Sequence, residues 1–569
     1  MHYMKCLFAN LKMYKKDIFK TNFFMVLESM VELCLPILLT YLINIGVQEK
    51  NISCIVFFSV ISIFLILIGL FGSIMNNYYS TSISSKVSFD LRYKVFSSIC
   101  DMSYSELDKI DISKSITVFS NDISTVGTVI LYFIRLFLKV IFLFITSIVL
   151  AFFISPPLFK IIIIIIPICL LIFILIFKYA FPYFDATQKA FDKVNHTVRE
   201  NVGGIRLIKS LSQEKKEIEK FDLANNEVKY LNIKAMKLVT LTGPILQIFI
   251  YLATFITLIY SNHLLQLEMI QIGNIMAFLQ YLTMILSSLL SGTMILLLVL
   301  KSLVSLKRIY SLCSLKEKEE KMIDEKINID TIEFKNVSFS YGENASTNVL
   351  QNISFKIKKG EKVALIGRCG SGKSTLLKIM SKLYPIKEGK IFINDKEIND
   401  YSSLFLKKHI LYVNQNATLL SGTILSNIKF FKNNKNLDTI LETCEIKDII
   451  KKKKDGILSK VEAFGNNFSG GEKNRIILAR SLFRNIEVLL LDDTLNAVDL
   501  KTEKKIYQNI QKNYPNVTII QVNSRLSNLK DMDKIILLEN GKIEAIGNFE
   551  EMSKNHLFLE FLKLQEEGK

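Results

Sequence analysis

Six apolar stretches, each long enough to cross a lipid bilayer, constrain this chain more than any other feature. A membrane-spanning helix needs about 20 predominantly apolar residues. Such stretches occur near residues 23–45, 54–75, 129–154, 158–178, 238–260 and 273–300. The rest of the sequence has the Gly-rich turns and frequent charges of a soluble protein. Because 569 residues exceed what one hydrophobic core usually supports, we expect a multi-domain membrane protein.

The connections between the apolar stretches alternate between short and long. The long ones, residues 76–128 and 179–237, are rich in Lys and Arg, and cationic connections remain on the cytoplasmic side of a membrane. We expect both to be helical throughout, with turning points near residues 106–114 and 202–208 that contact a cytoplasmic domain. The N-terminus is predicted to be cytoplasmic as well, because lysines precede the first stretch: Lys5, Lys12, Lys15, Lys16 and Lys20.

The excess of basic residues does not require a nucleic-acid partner. The formal charge of +18 is explained more simply by the sorting of cations to the cytoplasmic side of the bilayer. The 8 cysteines form no CxxC pair and no cluster with histidine. Neither a disulfide framework nor a zinc site is therefore predicted.

Two carboxylates interrupt the first apolar stretch. Glu28 and Glu32 are four residues apart and therefore share one helix face. An ionised group inside a membrane is costly and commonly functional, so the pair could line a cavity that attracts cationic cargo, together with Gln280 and Tyr281. Alternatively, the pair lies near the inner leaflet and meets water or a basic neighbour, Arg135 or Lys139. The sequence leaves both interpretations open.

A phosphate-binding loop lies in the soluble half. Residues 367–374 have the spacing G-x-x-x-x-G-K-S between an apolar strand and a helix with apolar spacing, which is the context this motif requires. Backbone amides can surround phosphates, Lys373 can reach the β- and γ-phosphates, and the Ser374 hydroxyl can bind Mg²⁺. We therefore predict ATP and Mg²⁺ as ligands. The predicted contacts are Gly367, Arg368, Cys369, Gly370, Ser371, Gly372, Lys373, Ser374 and Thr375.

A second apolar strand, residues 488–491, runs directly into two aspartates, Asp492 and Asp493. A strand that is apolar throughout is typical of a parallel sheet covered on both faces. Functional groups gather at the carboxyl ends of such strands. Asp492 stands where P-loop nucleotide hydrolases keep the acid that holds Mg²⁺, so the soluble half is predicted to be an α/β P-loop domain.

Between these two elements, the stretch NNFSGGEKNRIILARSL, residues 466–482, resembles the signature of ATP-binding cassette (ABC) transporters. The stretches TVFSNDI, VRENVGGIRLIKSL and AFLQY in the first half are similar to the exporter pattern as well. The whole chain thus resembles an exporter half-transporter, with an all-α six-helix transmembrane domain joined to an ABC-type domain. The resemblance implies a transmembrane domain at residues 1–312, a linker at 313–331 and an ATP-binding cassette at 332–569.

The resemblance also implies roles for residues outside the phosphate loop. Tyr341 matches the aromatic residue that stacks on adenine, Gln415 matches the residue that senses Mg²⁺ and the membrane domain, and Asp499 ends the family's D-loop. In this family two nucleotide domains enclose two ATP molecules, each held by one chain's phosphate loop and the other chain's signature. A second half-transporter is therefore the implied partner. The signature residues that would grip its γ-phosphate are Ser469, Gly470 and Gly471.

Two catalytic positions depart from the family's pattern, in addition to Ala463, which stands at an acidic position before the signature. Asp493 stands where the family has its general-base glutamate, and Ser524 stands where it has its switch histidine. Removing one methylene withdraws a carboxylate by about 1.5 Å, and a displacement of about 1 Å can lower a rate about a hundredfold. Serine cannot replace an imidazole that polarises the γ-phosphate. We therefore expect a weakened base and a site that binds ATP but hydrolyses it slowly.

These features together predict one subunit of a heterodimeric, multidrug-type exporter in the cell membrane, which moves an amphipathic or hydrophobic substrate. The partner would carry the missing glutamate and histidine. Two alternatives remain open. The chain could form a homodimer with two slow sites, or it could be an ATP-binding membrane sensor that transports nothing.

Overall fold

The computed structural model of the chain describes residues 11–314, 328–341, 348–415, 417–430, 436–522 and 526–567. It divides into two compact units. The first consists of Met1–Asp101 and Ile110–Leu315, and the second consists of Met102–Lys109 and Lys316–Lys569. The first unit is helical, and the second contains both sheets and helices.

Long helices make up the first unit. In chain order the helices up to residue 314 are α1 (Lys15–Tyr41), α2 (Ile52–Cys100), α3 (Tyr104–Leu107, part of the second unit), α4 (Ile112–Thr117), α5 (Ile123–Tyr132), α6 (Leu138–Ile154), α7 (Pro156–Gly203), α8 (Ile205–Ser210), α9 (Glu214–Gln266) and α10 (Ile272–Cys313). Wider π-helical turns extend or join some of them, at Leu42–Val47, Val118–Asp122 and Phe133–Phe137.

Six helical segments within the described residues are long and apolar enough to cross a membrane, as predicted. They are Lys12–Val47, Ile52–Cys100, Ser115–Ile154, Pro156–Gly203, Glu214–Gln266 and Ile272–Gly292. At 1.5 Å per residue, the 49 residues of α2 are about 70 Å long. This length is more than twice the roughly 30 Å of a bilayer core, so the helix continues well beyond the membrane.

The long connections are not helical throughout, and that prediction was wrong in detail. In the first connection α2 ends at Cys100, and the chain turns through α3, whose start is held by a capping box between Ser103 and Glu106. In the second connection α7 ends at Gly203, and α8 follows as a separate short helix. A reversal of chain direction requires such breaks. The first reversal, Met102–Lys109, packs with the second unit.

A cluster of charged and polar side chains connects three helices of the first unit. Lys139 Nζ on α6 lies 2.8 Å from Glu28 Oε1 and 2.8 Å from Glu32 Oε1, both on α1. Asn76 Nδ2 on α2 donates to Glu28 Oε2 at 3.2 Å. The side chains of Lys139 and Glu28 are only 16% and 13% exposed. The structure thus matches the second interpretation of the two carboxylates, with Lys139 as their basic neighbour.

Tyr281, which the first interpretation placed in a cavity, is packed inside the first unit. Its side chain is fully buried, and its hydroxyl donates to the carbonyl oxygen of Leu33 on α1. Gln280, the preceding residue on α10, is exposed. Successive helical residues point in different directions, so these neighbours have different surroundings.

Replacing Lys139 by methionine is expected to destabilise the first unit by roughly 3 kcal/mol. Removal of one partner leaves a buried carboxylate without its counter-ion. Replacement of the whole set by uncharged groups, by contrast, changes the free energy of unfolding little. Thermal unfolding of the purified chain in detergent measures the loss. The triple variant Lys139→Met, Glu28→Gln, Glu32→Gln should regain most of the stability, and a triple variant as unstable as the single one contradicts this explanation.

The second unit contains β-strands in two main sheets. The strands are β1 (Thr331–Phe339), β2 (Leu350–Lys358), β3 (Lys362–Ile366), β4 (Glu388–Ile393), β5 (Lys396–Glu397), β6 (Ile410–Val413), β7 (Gly422–Thr423), β8 (Lys460–Val461), β9 (Val488–Asp492), β10 (Thr518–Val522), β11 (Lys534–Glu539) and β12 (Lys542–Gly547). A six-stranded sheet has the order β12-β11-β3-β10-β9-β6, and a four-stranded sheet has the order β2-β1-β4-β5.

The second unit also contains helices. Besides α3 they are α11 (Lys373–Met380), α12 (Ser403–His409), α13 (Ile424–Ile428), α14 (Leu437–Thr443), α15 (Lys447–Lys452), α16 (Gly470–Phe483), α17 (Leu500–Asn513), α18 (Phe549–Met552) and α19 (His556–Glu567). Residues of β3 and β9 contribute to cores on both faces of this sheet. That double coverage explains why both strands are apolar throughout.

The parallel part of the six-stranded sheet positions the candidate site. Strands β3 and β9 both pair in parallel with β10, which lies between them. Val522, the last residue of β10, is opposite Leu365 on one side and Asp492 on the other. The phosphate loop and the paired aspartates therefore leave the sheet at the same edge.

Candidate nucleotide site

The first glycine of the phosphate loop is required by a close backbone contact. Gly367 has φ +145°, and a Cβ atom there would lie 2.0 Å from the carbonyl oxygen of Leu538 on β11. No other residue type fits without moving β11. The loop then turns into α11, whose first residue is Lys373. The backbone amides of the loop therefore surround the space at the N-terminus of α11. A helix N-terminus of this kind favours an anion.

Lys373 points back into the loop. Its Nζ donates to the carbonyl oxygens of Gly367 at 2.9 Å and Arg368 at 2.8 Å. Burial lowers the pKa of this ammonium group, and the nearby carboxylates of Asp492 and Asp493 partly oppose that effect. A phosphate bound in the loop would give the ammonium group a charged acceptor, which forms a stronger hydrogen bond than a neutral carbonyl.

Asp492 receives hydrogen bonds from two hydroxyl groups. Ser374 Oγ donates to its Oδ1 at 2.8 Å, and Tyr412 Oη donates to its Oδ2 at 2.8 Å. The carboxylate is at the end of β9 and only 3% exposed. A serine hydroxyl beside a carboxylate offers the oxygen ligands that Mg²⁺ prefers. The predicted metal residues Ser374 and Asp492 are thus in direct contact.

Tyr412 is a site residue that the sequence analysis missed. It lies on β6, where it pairs with Leu490 two residues before the aspartate. Burial, followed by the neighbouring Asp492, raises the pKa of its phenol, so the hydroxyl remains a donor at neutral pH. The sequence contains a tyrosine three residues before Gln415, but only the pairing of β6 with β9 shows that it reaches the carboxylate.

Replacing Tyr412 by phenylalanine is expected to raise the Mg²⁺ concentration needed for half-maximal ATP binding about threefold to tenfold. One hydrogen bond to a charged group contributes about 1.5–3 kcal/mol in general, and part of that is recovered when the second carboxylate oxygen turns to the metal. A Mg²⁺ titration with a fluorescent ATP analogue measures the change. The matched control is Tyr401→Phe, which should leave the Mg²⁺ requirement unchanged. Tyr401 is a buried tyrosine whose hydroxyl donates to the carbonyl oxygen of Ile393.

Asp493 has an unusual backbone conformation. Its φ is +53°, in the left-handed region, which aspartate and asparagine adopt more readily than most residues other than glycine. Its side chain borders a cavity of about 510 Å³ that Lys373, Ser374 and Gln415 also border. The predicted weak base is therefore next to the loop and to the candidate Mg²⁺ ligands.

Most of the predicted loop residues border this one cavity. Those that do are Gly367, Arg368, Cys369, Gly370, Gly372, Lys373, Ser374 and Thr375, together with Gln415, Asp492 and Asp493. Ser371 is instead nearly buried, 3% exposed. The sequence analysis missed three apolar neighbours of the cavity, Val349, Val522 and Phe561, because they come from distant parts of the chain.

The side chain of Arg368 pairs with acidic residues of the C-terminal part. Its guanidinium group lies 3.6 Å from Glu539 and 3.4 Å from Glu560. The side chain is 60% exposed, so each ion pair contributes little by itself. The contact of Arg368 with nucleotide stays a prediction, and the residue borders the cavity.

Tyr341 is not among the described residues that border the cavity. The Tyr341 hydroxyl lies 3.1 Å from Thr375 Oγ1, beside the start of α11, and the residue is 39% exposed. Ser524, the predicted switch position, lies outside the described residues. Tyr341 thus lies beside the first turn of the loop helix, and its stacking on adenine stays a prediction.

The signature residues form the start of α16. Ser469 Oγ accepts a hydrogen bond from the backbone N–H of Glu472, and the Glu472 carboxylate accepts one from the Ser469 N–H. This reciprocal capping box fixes the first turn. Gly471 is close to the chain before α17, since a Cβ atom there would lie 2.8 Å from Ala497 O. None of these residues is among the described residues that border the cavity.

Asp499 caps the next helix. Its carboxylate accepts a hydrogen bond from the backbone N–H of Thr502 at 2.9 Å, at the start of α17. This backbone hydrogen bond is the main reason why the pKa of Asp499 is lowered. The side chain therefore stays ionised at neutral pH and holds the turn that follows β9.

A helical unit with bilayer-length apolar segments, joined in one chain to a phosphate loop and a Mg²⁺-type acid, defines a membrane protein with its own nucleotide-binding domain. Known proteins agree with that class. The family profile "ABC transporter transmembrane region" matches residues 18–290, and the profile "ABC transporter" matches residues 350–496. The uncharacterized ABC transporter ATP-binding protein YfiB of Bacillus subtilis is 31% identical over 540 residues, with 94% of each chain covered. The chain therefore belongs to the ABC transporter family.

Other relatives span the same length. The multidrug resistance-like ATP-binding protein MdlB of Buchnera aphidicola is 28% identical over 581 residues, which cover 99% of this chain and 98% of the relative. A bacterial Atm1-family ABC exporter solved with ATP bound has the same fold, with a TM-score of 0.83 at 18% identity over 97% of this chain. The half-transporter architecture, the multi-pass membrane location and the cytoplasmic position of the ABC domain agree with the sequence analysis.

Proposed function

We propose that this chain is one subunit of an ATP-driven exporter, and that its own phosphate loop binds Mg²⁺-ATP but supports only slow hydrolysis. The observation that carries the proposal is the position of Asp493, which directly follows the Asp492–Ser374 pair and borders the same cavity as Lys373. A carboxylate at this point is suited to act as the base, yet its side chain is one methylene shorter than the glutamate of the family. Ser524 in place of histidine adds to the deficit.

The signature of this chain would then serve a partner. Ser469, Gly470 and Gly471 lie apart from the residues that border the chain's own cavity, as expected for residues that complete another subunit's site. The start of α16 has a helix N-terminus that favours a phosphate. The partner half-transporter would supply the glutamate and histidine and carry out most of the hydrolysis.

The division of labour between the two parts of the chain belongs to the same proposal. Residues 1–312 would form the pathway, residues 313–331 the linker, and residues 332–569 the nucleotide-binding domain. The transported substrate would be amphipathic or hydrophobic, as the similarity to a multidrug resistance-like relative also suggests. ATP binding would bring two nucleotide domains together, and hydrolysis at the partner's site would reset them.

Two other functions compete with this one. In a homodimer both sites would be slow, and the purified chain alone would have low but measurable ATPase activity. A sensor that transports nothing would bind ATP without moving any substrate across a membrane. Aspartate in place of the base favours the heterodimer, because a dimer of identical subunits would have no fast site.

The test is to purify the chain alone and after co-expression with candidate half-transporters, and to measure ATPase activity and dye export in reconstituted vesicles. We expect slow hydrolysis alone, and fast hydrolysis with ATP-dependent export in the complex. Fast hydrolysis by the chain alone, lost in the variant Asp493→Asn, would refute the impaired site. Full ATPase activity without export of any tested substrate would favour the sensor.

A further inference from the structure

A hydrogen bond joins the turn between α2 and α4 to the rest of the second unit. Tyr384 follows α11 in the chain, and its hydroxyl donates a hydrogen bond to a carboxylate oxygen of Asp108, just after α3. Tyr384 is only 8% exposed. Burial, followed by the Asp108 carboxylate, raises the pKa of its phenol, so the hydroxyl remains a donor at neutral pH.

The ring of Tyr384 also supports Tyr341. The two rings meet edge to face, with centroids 5.3 Å apart and planes at 88°, which is a favourable geometry for aromatic pairs. Phe339 meets both rings from β1. Lys378 Nζ lies 5.9 Å from the centroid of Tyr341 and 6.0 Å from that of Tyr384. The orientation of Tyr341 is therefore set by Tyr384 and its neighbours.

Tyr341 in turn contacts the phosphate loop. Its hydroxyl lies 3.1 Å from Oγ1 of Thr375, and Thr375 borders the cavity. A continuous set of contacts thus runs from Asp108 through Tyr384 and Tyr341 to the loop. All four side chains belong to the same compact unit.

We propose that Tyr384 is a positioning residue of the nucleotide site: its ring orients Tyr341 for the adenine base, and its hydroxyl ties that orientation to the turn 102–109 through Asp108. This inference rests on the proposed nucleotide site. Bound adenine would hold Tyr341 in place, Tyr341 would hold Tyr384, and the Tyr384–Asp108 hydrogen bond would persist longer. Nucleotide binding is thereby sensed at a turn that directly follows the long helix α2.

The first experiment separates the ring from the hydroxyl. Full-length protein in lipid nanodiscs is titrated with Mg²⁺-ATP and with Mg²⁺-tripolyphosphate, which has the phosphates but no base. Tyr384→Ala should weaken ATP binding about tenfold and tripolyphosphate binding less than twofold. Tyr384→Phe keeps the ring and should leave both affinities within twofold of the original protein. Equal weakening of both ligands by Tyr384→Ala would indicate a merely structural role and overturn the proposal.

The second experiment follows the turn itself by hydrogen–deuterium exchange of peptides covering residues 102–109. ATP should slow exchange there at least threefold in the original protein. Tyr384→Phe and Asp108→Ala should each abolish this ATP effect, and the double variant should add nothing. Asp108→Asn keeps an acceptor oxygen and should retain the effect. An ATP effect that survives in Tyr384→Phe would overturn the link, and this variant decides the question even if Tyr384→Ala does not fold.

Failure of the inference is distinguishable from failure of the proposed nucleotide site. Lys373→Ala should abolish binding of both ATP and tripolyphosphate, whatever Tyr384 does. If Lys373→Ala binds both ligands normally, the site itself is wrongly assigned. If Lys373→Ala loses both ligands while Tyr384→Ala binds ATP normally, the site stands and the positioning role of Tyr384 is refuted.

Discussion

Replacing Asp493 by glutamate is expected to raise the ATPase rate at this chain's own phosphate loop about tenfold to a hundredfold. The added methylene returns the carboxylate to the reach that the family's base has, and a displacement of about 1 Å can change a rate about a hundredfold. The left-handed backbone at this position, φ +53°, should cost glutamate about 1 kcal/mol, which is too little to unfold the domain. The rate is measured in a complex whose partner carries a substitution of its own phosphate-loop lysine.

The matched control is Asp493→Asn, which removes the charge without changing the size of the side chain. Since Asp493 is proposed to be a weak base, this variant should change the rate at the same site less than threefold. Addition of Ser524→His to Asp493→Glu should raise the rate further. A glutamate variant with no increase, or an asparagine variant that abolishes a fast rate, would contradict the proposed impairment.

Replacing Ser469 by aspartate is expected to lower the ATPase rate of the complex about a hundredfold, although Ser469 does not border the chain's own cavity. The new carboxylate would repel the γ-phosphate of ATP bound by the partner. Aspartate is as good a helix N-cap as serine, so the capping box that starts α16 and the fold should persist. Steady-state ATPase activity of the purified complex measures the effect.

Two comparisons make this result specific. Ser469→Thr keeps both the cap and a hydroxyl, and it should retain activity within threefold. Lys373→Met disables the slow site and should lower the rate of the complex less than tenfold, because the partner's site carries most of the hydrolysis. If Lys373→Met is as damaging as Ser469→Asp, the two sites are equivalent, and the homodimer becomes the better explanation.

The elements that could be predicted from the sequence are those fixed by neighbouring residues. A bilayer-length apolar run predicts a spanning helix because backbone groups must be paired within the segment, and the predicted spans are found as helices. The phosphate loop could be predicted for a similar reason, since its glycines, Lys373 and Ser374 lie within eight consecutive residues, 367–374. The paired aspartates could be placed as well, because an apolar strand delivers its last residues to a sheet edge.

The partners of those residues could not be predicted, because they come from far along the chain. Tyr412 reaches Asp492 across 80 residues, Lys139 reaches Glu28 across 111, and Tyr384 reaches Asp108 across 276. The first reversal starts at Asp101, earlier than the predicted turn at 106–114, for a related reason, whereas the second break, at Gly203 and Gly204, lies within the predicted range 202–208. The location of a reversal depends on what the turn packs against.

The sequence by itself determined that this protein has bilayer-spanning helices and a P-loop, with an aspartate where the family has its base, since each feature depends on local composition or spacing. Only the tertiary structure decided which charges are neutralised, which hydroxyl groups hold Asp492, and which turn contacts the nucleotide-binding unit. These contacts join side chains that are far apart in the sequence and come together only when the helices and strands pack. No local sequence pattern predicts such long-range contacts.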